Sequence, residues 1–170
     1  HSLPSCWLRV RVSSPAPFPS ETRPPQSATG GYNRCVRYRK LGSTDLEVSA
    51  VGIGTWQFGG EWNHDFTQGE ADAILDEAGA QGINLIDTAE CYGDHLSESL
   101  IGDYLARRDR PRWIVATKFG HRFHSFMNRT DDFSVNGARL QLEGSLRALR
   151  VDAIDIYQFH SGPDDLFRND

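Results

Sequence analysis

Three apolar segments of the chain each end on a polar residue that a buried strand does not normally carry. They span residues 83–87, 113–118 and 154–160, and they end on Asp87, Lys118 and His160. Burying such groups without a partner is costly, so they usually meet one another. Tyr92 follows the first segment closely. If the three strands lie side by side, an acid, a phenol, an amine and an imidazole gather at one end of a sheet, which is the composition of a proton-transfer site.

The segments around these residues alternate between strand and helix patterns from Val36 onward. A hairpin is predicted over residues 38–48, and strands over 50–54, 83–86, 113–117 and 154–159. Thr67 and Glu70 form a capping-box pattern for the first helix, and Gly82 is placed to end it. The predicted apolar stripes of the three helices are Ala71, Ile74, Leu75 and Ala78; Leu100, Ile101, Tyr104 and Leu105; and Val135, Ala138, Leu142, Leu146 and Leu149. Residues 119–133 are expected to form a long loop.

Near-continuous apolar strands that alternate with amphipathic helices indicate a parallel sheet covered by helices. A doubly wound sheet and a (β/α)₈ TIM barrel both fit, and both gather reactive residues at the carboxyl ends of the strands. A full barrel needs about 250 residues, whereas residues 36–170 hold roughly four strand–helix steps. The predicted fold is therefore α/β: an incomplete (β/α)₈ barrel of about the first four βα units with an N-terminal hairpin.

Composition excludes several other classes of protein. The net charge of −5 gives no support for nucleic-acid binding, and no apolar run approaches the roughly 20 residues needed to span a membrane. Three widely spaced cysteines fit a reducing cytoplasm better than a disulfide framework. Residues 1–35 are rich in Pro and Ser and are expected to be a disordered or non-native extension, with a targeting peptide as the alternative. Residues 36–170 form the predicted folded domain.

Each polar strand end also has a purely structural interpretation. Lys118 and Asp87 could be an ion pair that only fixes strand register. Tyr92 alone could be a packed loop aromatic, but an adjacent ammonium would lower the pKa of its phenol and let it give a proton to a carbonyl oxygen. His160 could be a satisfied structural residue, or it could donate to the same oxygen. The argument for catalysis depends on all four residues arriving at one end of one sheet.

The sequence resembles the amino-terminal half of an aldo-keto reductase. The matching segments, in the same order and spacing, are residues 38–42, 51–56, 85–89, 92–93, 97–98, 116–118 and 157–160. The resemblance implies a (β/α)₈ barrel that uses NADPH to reduce aldehydes or ketones to alcohols. It also implies a catalytic tetrad in which Tyr92 is the proton donor, Lys118 lowers its pKa, Asp87 holds Lys118, and His160 orients the carbonyl group.

The cofactor and substrate contacts that the resemblance implies are less complete than the tetrad. In this family most contacts to the cofactor come from later strands. The expected contacts near the nicotinamide that this chain offers are Gly54, Thr55, Trp56 and Asp87. The expected substrate pocket is lined by Trp56, Trp62, Phe119, His121 and Phe123, although these aromatic residues could also merely seal the barrel mouth. The partner is expected to be a small carbonyl compound, and the sequence leaves its identity and the oligomeric state open.

Three alternatives remain beside the reductase interpretation. Cys91, His95, His121, His124 and His160 could converge on a metal, but their spacing does not match a zinc pattern, so no metal is predicted. A non-catalytic, cofactor-binding regulatory subunit resembling potassium channel β subunits would keep the same fold. Finally, a half-barrel has an open sheet edge and an uncovered apolar face. We therefore expect residues 1–170 alone to be inactive and to aggregate or self-associate.

Overall fold

The computed structural model describes residues 36–108, 113–125 and 127–162. The predicted extension over residues 1–35 lies outside these ranges. The strands are β1 Tyr38–Lys40, β2 Glu47–Ser49, β3 Ile53–Gly54, β4 Leu85–Asp87, β5 Ile114–Phe119, β6 His121–Ser125, β7 Asn128–Asp131 and β8 Ile156–Phe159. The helices are α1 Gln68–Ala80, α2 Leu96–Arg107 and α3 Val135–Leu149, with a 3₁₀ turn over Trp56–Gly59. In the described ranges, no helix combines the length and the apolarity needed to cross a membrane.

A four-stranded parallel sheet in the order β3-β4-β5-β8 forms the centre of the fold. Asp87 pairs with Ala116 across β4 and β5, and Lys118 pairs with Gln158 across β5 and β8. The three polar segment ends therefore lie on neighbouring strands at the carboxyl edge of one sheet, as predicted. The alternation of parallel strands with helices confirms the incomplete barrel.

The two faces of the sheet bury different clusters, because successive strand residues point to opposite sides. On the helix side, Val115 and Tyr157 pack among the buried residues of α1 and α2. On the other side, the antiparallel β1–β2 hairpin places Val48 against Ile114 and Ile156. The hairpin thus covers the apolar face where β5 and β8 begin, and the expectation that this face is uncovered is wrong there.

The helices follow most of the predicted pattern. The Thr67–Glu70 capping box begins α1, and Gly82 follows its end with a φ of 83°. Two predicted core residues are exposed, however: Ile74 is 37% exposed and Val135 is 70% exposed. The buried line of α1 is narrow, and Ile74 lies about 100° around the helix from the buried Leu75. Val135 is the first residue of α3, where one side of the helix still faces solvent.

Residues 119–133 do not form the long loop that the sequence predicted. They contain the antiparallel hairpin β6–β7, in which His121 pairs with Asp131 and Phe123 pairs with Arg129. Met127 in its turn has a φ of 56°. Both strands are mostly polar, so they lack the apolar alternation that identifies a strand in sequence. The pairing brings His121 and Arg129 to the carboxyl edge of the sheet, beside the predicted site.

Candidate active site

Asp87 and Lys118 form an ion pair at the carboxyl edge of the sheet. Lys118 Nζ lies 2.9 Å from Asp87 Oδ2 and donates a second hydrogen bond of 2.8 Å to the carbonyl of Thr88. The Lys118 side chain is 13% exposed and that of Asp87 is 45% exposed. The amine is therefore held from one side by β4, while the carboxylate still faces open space.

Tyr92 lies between this ion pair and two other rings. Lys118 Nζ is 5.4 Å from the centroid of the phenol ring, Trp56 stacks on the ring at 6.2 Å, and His160 meets it edge-on at 5.5 Å. The loop that carries Tyr92 is fixed by close backbone packing, since a Cβ on Gly59 would lie 2.6 Å from the carbonyl carbon of Tyr92. The predicted tetrad is thus assembled around one aromatic ring.

The charge environment of Tyr92 differs from the sequence-based prediction. Burial raises the pKa of the phenol well above its ordinary value, and the negative charge of Asp87 raises it further. The net pKa of Tyr92 is therefore raised, whereas the sequence-based prediction considered only a lowering by Lys118. Because Lys118 is paired with Asp87, the ammonium and the carboxylate act on the phenol with opposite signs, and burial decides the balance.

His160 follows β8 and is held from both its backbone and its ring. Its N–H donates to the carbonyl of Phe119 over 2.9 Å, and its Nδ1 lies 3.3 Å from Cys91 Sγ. Burial lowers the pKa of His160 to about 3, with Lys118 and His121 contributing. Burial also raises the pKa of Cys91 to about 12. At neutral pH the imidazole is therefore uncharged and the thiol keeps its proton.

The residues expected near the nicotinamide differ in whether they face free space or are buried in the scaffold. A Cβ on Gly54 would meet nothing within 4 Å, so the space beside Asp87 is free. Trp56 is partly exposed, and its Nε1 donates to Glu61 over 2.6 Å. Thr55, by contrast, is fully buried and its hydroxyl donates to the carbonyl of Asp87 over 3.0 Å. Its side chain belongs to the scaffold, so the predicted cofactor contact is not available through that hydroxyl.

The predicted substrate pocket is only partly assembled by the described residues. Trp62 packs edge-on against Trp56 at 4.9 Å, and Trp56 in turn stacks on Tyr92. Phe119 is buried in the helix-side core against Tyr157 at 4.8 Å, so its assignment to the pocket is wrong. It follows Lys118 on β5, and strand alternation turns it to the opposite face.

His121 and Phe123 lie on β6. They line a cavity that neighbours the space around Tyr92. Glu90, His95 and Gln141 line the same cavity. The His121 ring lies 4.8 Å from that of His160, so the two spaces adjoin at the carboxyl edge of the sheet.

A buried polar network under the site was not predicted. Glu98 is fully buried, accepts a hydrogen bond of 2.6 Å from the Thr117 hydroxyl, and lies 2.5 Å from His95 Nδ1. Burial lowers the pKa of His95, but the hydrogen bond and charge of Glu98 outweigh it and raise this pKa overall. The available signal was helical spacing, because Glu98 precedes Ile101 by three residues and so falls on the apolar stripe of α2.

Glu90 is a second buried acid that sequence reasoning missed. It is 3% exposed and its Oε1 accepts a hydrogen bond of 3.1 Å from the His121 N–H. Within the described part of the chain, its Oε2 is buried without a hydrogen-bond partner. Burial raises the pKa of Glu90 to about 7. One oxygen of Glu90, Cys91 Sγ and one nitrogen of His160 lie within 4.8 Å of one another. Cys91 and His160 were among the five residues considered as metal ligands from the sequence, whereas Glu90 was not.

Comparison with known proteins gives this geometry a context. Residues 50–166 match the model of the aldo/keto reductase family. The chain is 39% identical over 128 residues to the uncharacterized oxidoreductase YqkF of Bacillus subtilis, covering 75% of this chain and 40% of that protein. It is 37% identical over 131 residues to the NADH-specific methylglyoxal reductase of Escherichia coli, covering 71% and 40%.

A solved structure extends the match to three dimensions. The putative aldo-keto reductase PA4992 from Pseudomonas aeruginosa superposes with a TM-score of 0.68 at 38% identity, covering 78% of this chain and 50% of that one. The chain thus spans about 40% of the length of the curated relatives named here. The family match over most of the described residues, together with the parallel half-barrel, shows that this chain belongs to the aldo/keto reductase family.

Proposed function

We propose that the full-length protein reduces aldehydes or ketones to alcohols with NADPH, and that Asp87, Tyr92, Lys118 and His160 carry the proton-transfer step. The observation that supports this proposal is the convergence of a phenol, a neutral imidazole and a lysine–carboxylate pair on one open strand edge. The family is one of oxidoreductases, and one relative is named as a methylglyoxal reductase. The three cysteines of the sequence favour action in the cytoplasm.

The cofactor fits at its nicotinamide end. Free space beside Gly54, the partly exposed Trp56 and the exposed carboxylate of Asp87 leave room next to Tyr92 and Lys118. When bound, NADPH supplies the hydride that reduces the carbonyl carbon. NADPH is proposed from the family resemblance, whereas the Escherichia coli relative is NADH-specific. Fluorescence titration of the full-length protein with each cofactor tests this choice, and tighter binding of NADH would overturn it.

Tyr92 is the proposed proton donor. Its raised pKa keeps the phenol protonated at neutral pH. The alkoxide that forms when hydride reaches the carbonyl carbon is a stronger base than phenolate, so proton transfer from Tyr92 remains favourable without a lowered pKa. Lys118, whose ammonium lies 5.4 Å from the ring centroid, stabilises the phenolate that remains, and Asp87 fixes the position of that ammonium.

His160 orients the substrate through a defined tautomer. Because Cys91 keeps its proton, its S–H can donate to Nδ1 of the uncharged imidazole. A neutral histidine that accepts at Nδ1 carries its own proton at Nε2. Nε2 then donates a hydrogen bond to the carbonyl oxygen that Tyr92 protonates. Trp56 and Trp62 form an apolar wall beside this position, which favours apolar or aromatic carbonyl compounds.

Substitution of Tyr92 by Phe tests the role of the donor. We expect Tyr92→Phe in the full-length protein to lower kcat by about 10²–10⁴, the usual contribution of a general acid, while NADPH binding is unchanged. Tyr104→Phe is the matched control, because that phenol donates to Asp76 between α1 and α2, away from the site. Steady-state NADPH oxidation with a panel of aldehydes gives kcat. Unchanged turnover in Tyr92→Phe would refute the assignment.

The same assay separates a reductase from a regulatory subunit. A wild-type protein that binds NADPH but reduces none of the aldehydes would favour the cofactor-binding regulatory alternative. We also propose that residues 1–170 alone are inactive, because β8 is followed by no further paired strand in the described ranges. Gel filtration and NADPH oxidation of this chain test the point, and a monomer that turns over NADPH would contradict it.

A further inference from the structure

A carboxylate, a thiol and an imidazole converge between the ends of β4 and β8. We propose that Glu90, Cys91 and His160 form a binding site for a thiophilic divalent cation, with Zn²⁺ as the fitting ion. Their ligand atoms lie within 4.8 Å of one another, and the His160 Nδ1 and Cys91 Sγ atoms are 3.3 Å apart. This site shares His160 with the proposed carbonyl-reducing site, but its existence does not depend on that activity. It departs from the sequence-based expectation that the chain holds no metal.

The buried oxygen of Glu90 is an independent indication that the cluster is built for a ligand. Glu90 is only 3% exposed, and its Oε2 has no hydrogen-bond partner among the described residues. Buried carboxylate oxygens are almost always satisfied, because leaving one without a partner is costly. A cation between this carboxylate, the thiol and the imidazole would satisfy it.

The three residues are held from outside the cluster, Glu90 through its side chain and Cys91 and His160 through their backbones. The His121 N–H donates to Glu90 Oε1, and Arg129 donates to the carbonyl of Cys91 over 3.2 Å. The His160 N–H donates to the carbonyl of Phe119. Each ligand residue is therefore anchored by a different hydrogen bond, and the bond to Glu90 Oε1 is of the second-shell kind that orients a metal ligand.

The donor set selects the class of ion. One thiolate, one imidazole and one carboxylate match the ligands of Zn²⁺, and three protein ligands leave a fourth position for water. Mg²⁺ and Ca²⁺ prefer oxygen ligands alone and do not fit a thiol and an imidazole. Binding breaks the Cys91 S–H bond, forms a metal–sulfur bond and releases the proton to solvent, with no change in oxidation state.

Cobalt substitution tests the site directly, because a thiolate bound to Co²⁺ gives a charge-transfer band in the near ultraviolet. We expect the reduced full-length protein to bind one Co²⁺ with this band, and Zn²⁺ to displace it. Cys91→Ser should abolish the band, whereas the matched control Cys35→Ser should keep it. Glu90→Gln should weaken Co²⁺ binding about tenfold or more, since loss of even a second-shell partner costs about 10–100-fold.

Each outcome bears on the site rather than on turnover. Absence of the thiolate band, its persistence in Cys91→Ser, or unchanged Co²⁺ affinity in Glu90→Gln would overturn the proposal. Circular dichroism of each variant shows whether it is folded. Glu90→Gln is the variant least exposed to misfolding, because it removes only a buried charge. Because NADPH oxidation is not the readout, failure of the metal site and failure of the reductase assignment are distinguishable.

Discussion

Replacing Glu90 with Gln is expected to stabilise the folded protein at alkaline pH and to leave its stability nearly unchanged in acid. Burial raises the pKa of Glu90 from 4.5 to about 7, with the nearby charge of Glu98 adding to the effect and the His121 N–H opposing it. The folded state therefore binds this proton more tightly than the unfolded chain. Its stabilising contribution is fully present below the unfolded pKa and is lost as pH rises through about 7.

The size of the effect follows from the two pKa values. At about 1.4 kcal/mol per pH unit, the interval between 4.5 and about 7 corresponds to about 3 kcal/mol of unfolding free energy. Gln is close in shape to a protonated Glu and is also neutral, so Glu90→Gln should match the wild type when Glu90 is protonated. At high pH the wild type must bury a charge that the variant lacks.

Urea unfolding of the full-length protein over a pH series measures this difference. The unfolding free energy of Glu90→Gln minus that of the wild type should be near zero below about pH 4 and reach about 3 kcal/mol by about pH 8. Glu143→Gln is the matched control, because Glu143 is exposed on α3 and only 3.9 Å from Arg147 in a weak surface pair. The reasoning fails if the difference is constant with pH, or if it decreases as pH rises.

Three further substitutions test the scaffold and the site. Gly102→Ala should lower the unfolding free energy, measured by thermal or urea unfolding, by about 1–3 kcal/mol, because its Cβ would lie 2.2 Å from the carbonyl of Ala148. Gly69→Ala is the control, because its Cβ meets open space and the change should be neutral or slightly stabilising. Equal effects of the two substitutions would contradict the packing of α2 on α3. Thr67→Ala should cost about 1 kcal/mol through loss of the capping box, and an unchanged melting temperature would count against that cap. Lys118→Met should lower kcat for NADPH oxidation at least about 100-fold, and near-normal turnover would remove Lys118 from the site.

Much of the fold could be predicted because its signals are local. Patterns of a few neighbouring residues predicted the helices: the capping box at Thr67, the turn at Gly82 and the apolar spacing of Leu100 to Leu105. The structure confirms each of these helices. Strand positions were also located, although β3 is shorter than the predicted 50–54. The β6–β7 hairpin was missed because its residues are mostly polar and lack the apolar alternation that identifies a strand.

The residues of the candidate site could be predicted where the pairing of their strands could be predicted. Apolar segments that end on Asp87 and Lys118 must bring those residues together once the strands are parallel and adjacent, and the structure gives the 2.9 Å pair. Phe119 was predicted to line the pocket but lies in the core, because the position of a strand does not by itself say which face each of its residues occupies. Its neighbour Lys118 faces the site, so strand alternation turns Phe119 away from it.

The sequence by itself determined the order of the three helices and the four central parallel strands, and which polar residues reach the carboxyl edge of the sheet. These follow from local periodicity and from the cost of burying polar groups alone, whereas the family followed from the resemblance of its motifs. Only the tertiary structure decided the electrostatics: the raised pKa of Tyr92, the neutral His160, and the buried carboxyls of Glu90 and Glu98. Desolvation depends on everything packed around a group, and those neighbours come from segments far apart in the chain.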